Sequence, residues 1–116
     1  MTRARATSQA VSWPVNVETT AAADIEATDT RKTYTNVGSA LDTTFSLPVA
    51  AAGLEFRFVR VATQWIRLLP DGTEIVGGGT AGQYLEMQTD GSVVHLKAFT
   101  TGIWSMMSAT GTIAYG

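Results

Sequence analysis

The stretch TTFSLPVAAAGLEFRF, residues 43–58, decides the fold. In its first half Phe45 and Leu47 alternate with Thr44 and Ser46; in its second, Leu54, Phe56 and Phe58 alternate with Glu55 and Arg57. A period of two belongs to a strand with one buried face. Proline cannot donate to a strand ladder, so Pro48 ends the first strand, and the Pro-Ala-Gly elbow from Pro48 to Gly53 turns the chain into the second. Neither half carries a group suited to attack a substrate or hold a metal.

Working outward, the apolar phase shifts after Phe58: Val59 and Val61 are now the apolar residues, and Arg60 falls on the former core side. A bulge or a strand end at residues 58–60 accounts for this. QWIRLLPDGTEI places Ile66 and Leu68 on one face and Trp65, Arg67 and Leu69 on the other, before a Pro-Asp-Gly turn. QYLEMQTDGSVVHLKAF reads as a hairpin, with Leu85 and Met87, then Val94, Leu96 and Ala98, as its core-facing residues across a Thr-Asp-Gly turn. GIWSMMS, with Trp104 and Met106 on one side, and GTIAY close the chain. Upstream, KTYTNVG is a strand ending at residues 36–38. Short strands about ten residues apart predict an all-β fold, a small antiparallel β-sandwich or barrel.

Residues 1–30 differ in composition. They are rich in Ala and Thr, and only WPVNV, with Trp13, Val15 and Val17 alternating with Pro14 and Asn16, looks like a strand. TTAAADIEATDT comes nearest to a helix, but its Thr and Asp content argues against a long one. The expected organisation is an extended N-terminal arm over 1–30 and a single β domain over 31–116.

The 116-residue chain is 45% hydrophobic and only 16% charged, against the usual quarter. So little charge on a small chain implies a surface partly covered by other protein. With a net charge of −2 and eight scattered Lys and Arg, nucleic acid is not an expected partner. No apolar run reaches membrane-span length and no apolar segment follows the N-terminal arginines, so neither a membrane nor a signal peptide is expected. The absence of cysteine excludes disulfides and thiolate chemistry.

His95, the single histidine, lies at a polar-phase strand position; as a general base it would need a nucleophile or an orienting acid beside it. The reading favoured is a surface or interface residue. Glu18, Asp24, Glu26 and Asp29 lack the glycine turn and spacing of a calcium loop, and read as a solvated acidic face. GGGTAG, residues 77–82, lacks the lysine of a phosphate loop and reads as a plain loop. No metal, cofactor or enzymatic activity is expected. Trp65, Tyr84 and Tyr115 fall on outward faces, where rings stack on sugars or anchor protein interfaces; an interface is favoured. Arg57, Arg60 and Arg67 are expected as donors at such an interface.

The segments KTYTNVGSALDTTFSLPVAAAGLEFRFVRV, IRLLPDGTEI and GQYLEMQTDGSVVHLKAFTTGIWSMMSATGT together resemble a small β domain of tailed-bacteriophage virion structural proteins, found in head decoration, head-fibre, tail-fibre and tail-tip proteins. The likeness lies in a Tyr-Thr-Asn-x-Gly start, the F-x-L-P-x-A-x-x-G-L-x-F-x-F elbow, an I-x-x-x-P-x-G turn and a closing G-x-W strand, over about residues 31–116. It implies a capsid decoration (cement) protein, made in the bacterial host cytoplasm. Its partners would be itself, as a homotrimer, and the major capsid protein, on the outer surface of the head. The contact residues expected of that role are Arg3, Arg5, Trp13, Val15 and Val17 in the arm, with Trp65, Tyr84 and Tyr115 on the domain. The alternatives are a tail-fibre or baseplate component, a carbohydrate-binding module using the three outward rings, and, last, an enzyme built on His95.

Overall fold

A computed structural model describes residues 13–116 as two packed sheets. In chain order the strands are β1 (Val15–Val17), β2 (Ala22–Asp24), β3 (Lys32–Thr35), β4 (Thr43–Ser46), β5 (Glu55–Val59), β6 (Ile66–Leu69), β7 (Ile75–Val76), β8 (Leu85–Met87), β9 (Val93–Thr100), β10 (Ile103–Ala109) and β11 (Ile113–Tyr115). The first sheet runs β1-β3-β5-β9-β10-β7 and the second β11-β8-β6-β4-β2. The fold is therefore the all-β sandwich expected, and not a barrel.

The chain changes sheet at every connection except β9 to β10. A chain that crosses to the other sheet and returns arrives one position further along and in its original direction. That is why β1, β3 and β5 are parallel, as are β2, β4 and β6. Antiparallel pairing begins where β9 meets β5 and β8 meets β6, so the sandwich is mixed rather than antiparallel throughout.

The elbow of residues 43–58 is one of these crossings. Phe45 from β4 and Phe56 and Phe58 from β5 approach each other from opposite sheets, all fully buried. Tyr34 lies among them, stacked on Phe58 with ring centroids 5.7 Å apart and tilted against Phe45 at 5.4 Å. Trp104 packs on Phe56 at 5.7 Å, and Ile66, Leu68, Leu85, Met87, Val94 and Leu96 complete the core. The elbow itself is firmly held. Ala50 is buried, its N–H donates to Glu74 Oε1 at 2.9 Å, and the Gly53 N–H donates to the Ala98 carbonyl at 2.8 Å. Gly53, at φ 97°, supplies the left-handed backbone that lets the chain enter β5.

The hairpin expected over residues 83–99 does not form. β8 belongs to the second sheet and β9 to the first, and the 88–92 turn carries the chain between them. A hairpin and a crossing share one apolar alternation, since both put the same residues into one core. Partner choice here is set by β5 and β6, which already occupy the two sheets and pair with β9 and β8.

The described part of the N-terminal thirty residues is built into both sheets. β1 pairs with β3 and β2 with β4, and Ile25 is buried in the core. In place of a helix, TTAAADIEATDT contributes β2 and a single 3-10 turn at Ala27–Asp29. β5 ends at Val59, and this end explains the phase shift. Arg60, expected at an interface, is instead buried beneath the 60–65 loop. Its guanidinium donates to the carbonyls of Ala62 (3.2 Å), Met87 (3.0 Å) and Thr63, and pairs with Asp90 at 3.0 Å. Asn36, fully buried, fixes the same loop from the other side. Its Oδ1 accepts from the N–H groups of Val61 and Ala62, at 2.8 and 3.1 Å, and its Nδ2 donates to the Gln64 carbonyl at 3.0 Å.

Candidate interaction surfaces

The outer face of the first sheet carries a polar cluster. Glu55 and Arg57 on β5 stand beside Lys97 and His95 on β9 in the ladder register. Glu55 reaches diagonally, so that its Oε2 lies 2.6 Å from His95 Nε2, while its Oε1 is 4.0 Å from Arg31 Nε. Trp13 closes over this pair: its ring meets the His95 imidazole edge-on at 5.5 Å, and the Arg57 guanidinium lies 4.5 Å from the indole centroid. An acid that orients an imidazole is half of a general-base arrangement. Among the described residues no hydroxyl hydrogen-bonds to the imidazole, and the cluster's evident effect is to fasten the chain before β1 onto the sheet. Alternation put Glu55, Arg57 and His95 on polar faces; only the β5–β9 register brings them together.

Trp65 and Tyr84 lie on the outer face of the second sheet, on either side of Arg67. The guanidinium is 5.9 Å from the Trp65 ring and 4.6 Å from the Tyr84 ring. Its Nε donates to Glu86 Oε1 at 2.7 Å, and Gln88 Nε2 donates to Glu86 Oε2 at 2.8 Å. The Glu86 hydrogen bond raises the Arg67 pKa above its ordinary value, against a smaller opposing effect of burial. The carboxylate is covered, and what faces outward is the Trp65 indole and the plane of Arg67.

Tyr115 has a different position. Its hydroxyl donates to the Gly77 carbonyl, and its ring lies so close to Gly79 that a Cβ there would sit 2.8 Å from Tyr115 Cδ1. Residues 77–79 are thus a packing platform for Tyr115. A groove of about 530 Å³ alongside is lined by Ile75, Gly77, Gly78, Gly79, Ile103, Trp104, Ser105 and Met106, with no titratable side chain. Val15 and Val17 lie on β1 at the first sheet's edge, 60% and 54% exposed. Arg3 and Arg5 lie outside the described residues.

The acidic stretch does not converge. Asp29 pairs with Lys32 Nζ at 3.0 Å, and Glu18 accepts from the Thr20 N–H at 3.3 Å. Among the described residues no group of three or more acidic or histidine side chains is placed to hold a metal ion, and no helix is long and apolar enough to cross a membrane. The Tyr34 hydroxyl, buried and without a partner at normal hydrogen-bond distance, has its pKa pushed up to about 12, by desolvation first and then by the charge of the Asp29 carboxylate and its weak, long-range hydrogen bonding. No protein-family model matches the chain, and no curated protein matches it.

Proposed function

We propose that the chain is a structural component of a bacteriophage virion, a decoration protein that binds the outer surface of the head as a homotrimer and stabilises the shell. Two things support this reading: the resemblance carried by the elbow and its flanking segments, and the way the molecule uses its side chains. The observation that carries it is the distribution of large exposed apolar residues. Phe99, Ile103 and Met107, 43% to 54% exposed, lie on the adjacent strands β9 and β10 of the first sheet, while Val15 and Val17 lie apart from them on β1. In a chain with so few charges, the β9–β10 group is the candidate protein-binding surface of this reading.

Antibody labelling of intact particles, viewed by electron microscopy, tests the reading. Label distributed over the head is expected. Label confined to the tail favours the fibre or baseplate role, and unlabelled particles overturn a virion role altogether. A carbohydrate-binding role has one observation of its own, the exposed Trp65 indole beside Arg67; a glycan array that loses all binding in Trp65→Ala would support it.

A further inference from the structure

We propose that β1 is a self-pairing edge, through which two copies of the chain join across a two-fold axis into one continuous sheet. The inference rests on backbone directions. The Thr33 N–H donates to the Pro14 carbonyl at 2.8 Å and the Glu18 N–H to the Thr35 carbonyl at 2.8 Å, with Asn16 opposite Tyr34 between them. Residues 14, 16 and 18 therefore turn their backbone groups toward β3, and Val15 and Val17 turn theirs away. No described strand pairs with β1 on that side. The edge has no lysine and no bulge, and Pro14 turns its backbone toward β3 rather than outward; its three-residue length limits the added pairing to a short ladder.

This outward array, to which no described residue pairs, is self-complementary. If a second β1 is laid antiparallel with the two Asn16 residues opposite each other, Val15 faces the other copy's Val17 and Val17 faces its Val15. Each facing pair exchanges both of its N–H to C=O bonds. All four free groups of each strand are then used, with none left over. The ladder register places Val15 and Val17 level with Thr33 and Thr35, on the outer face, so the same pairing gathers four exposed valines into one apolar cluster. The two Asn16 side chains meet on the opposite face as a non-hydrogen-bonded pair. A parallel approach, or a shift by one residue, would leave part of this array unpaired. The contact joins one copy to one other, so in a trimeric assembly it would link copies of different trimers rather than build the trimer, and it covers Val15 and Val17 while leaving the β9–β10 face free; it holds whether or not the chain sits on a virion.

The test uses the whole chain, which has no cysteine of its own. Across the two-fold axis the two residues at position 16 have Cα atoms about 4.5 Å apart, within the range a disulfide spans. Mild oxidation of Asn16→Cys is expected to give a disulfide-linked dimer at least tenfold faster than oxidation of Val61→Cys, an exposed loop position. Val17→Pro removes an N–H that points away from β3 and has no partner among the described residues. It is expected to keep the circular dichroism of the native chain and to weaken association at least tenfold in analytical ultracentrifugation. Equal cross-linking rates at positions 16 and 61 would overturn the proposal, as would a native-like Val17→Pro that associates unchanged. Efficient cross-linking at position 16 alongside unlabelled particles would uphold the pairing and sink only the virion reading.

Discussion

Arg60 shows most clearly how a single residue is committed to the fold. Replacing it with Ala would strand the carbonyls of Ala62, Thr63 and Met87 beneath the 60–65 loop. Hydrogen bonds from a charged donor contribute roughly 1.5–3 kcal/mol each, non-additively, so Arg60→Ala is expected to lose about 3 kcal/mol in urea denaturation. Asp90→Ala should lose less than about 1 kcal/mol, because Asp90 is exposed and its ion pair is largely screened. Tyr34 gives a pH-dependent counterpart. Its phenol ionises near pH 10 when unfolded and at about 12 when folded, so the folded state keeps the proton that the unfolded state loses. Stability from this group is complete below pH 10 and is lost as the pH rises toward 12. Tyr34→Phe is expected to flatten that alkaline loss. Near neutral pH it should change stability by less than about 1 kcal/mol, since the hydroxyl has no partner at normal hydrogen-bond distance. The sequence marked Arg60 as out of phase with its strand, but a period of two cannot show that three carbonyls wait on the far side of a turn. His95 was legible as a polar-face residue, while the Glu55 and Trp13 that hold it come from segments 40 and 82 positions away in the chain.

Strand positions were the most legible feature, because each strand has one buried face and so writes a period of two into the chain. Phe45, Phe56, Phe58, Ile66, Leu68, Leu85, Val94 and Leu96 all point where the alternation put them. Strand partners were not legible. The residues of β8 and β9 satisfy one core whether they form a hairpin or an arch between sheets, and the choice is made by which edges β5 and β6 leave open. β2 was hidden for another reason: Ala22–Asp24 is too short and too weakly apolar to show an alternation, and is held by parallel pairing with β4. The turns that join the sheets bear a graded prediction. Gly91 and Gly111 both have φ 79°, but a Cβ on Gly91 meets nothing within 4 Å, whereas on Gly111 it would lie 2.9 Å from Ser92 Cβ and 3.0 Å from Thr89 Cβ. Gly91→Ala should therefore cost about 1 kcal/mol, from backbone strain alone. Gly111→Ala should cost about 1–3 kcal/mol more, from the added overlap, and thermal denaturation of the two variants should rank them in that order.

At the scale of the whole molecule, the polar side chains fall into two groups. Arg60, Asn36 and Glu74 are turned inward to hold loops and the elbow, while the clusters at His95 and Arg67 lie flat on the two outer faces. Among the described residues the exposed surface carries separate charges such as Asp24, Glu26, Arg31 and Asp71, together with the apolar side chains of Val15, Val17, Phe99, Ile103 and Met107. On the proposed reading, a molecule arranged in this way would act by covering and being covered. Repetition on a shell suits it, because each copy adds a modest buried area and the shell sums them. The resemblance rests on turn and core residues, which specify the fold, while the partner is specified by the exposed surface. The partner is therefore best settled by counting. Quantitative mass spectrometry of purified particles should find this chain in many copies, in a fixed simple ratio to the major shell protein, if it decorates the head. A few copies per particle, or none, would contradict that account.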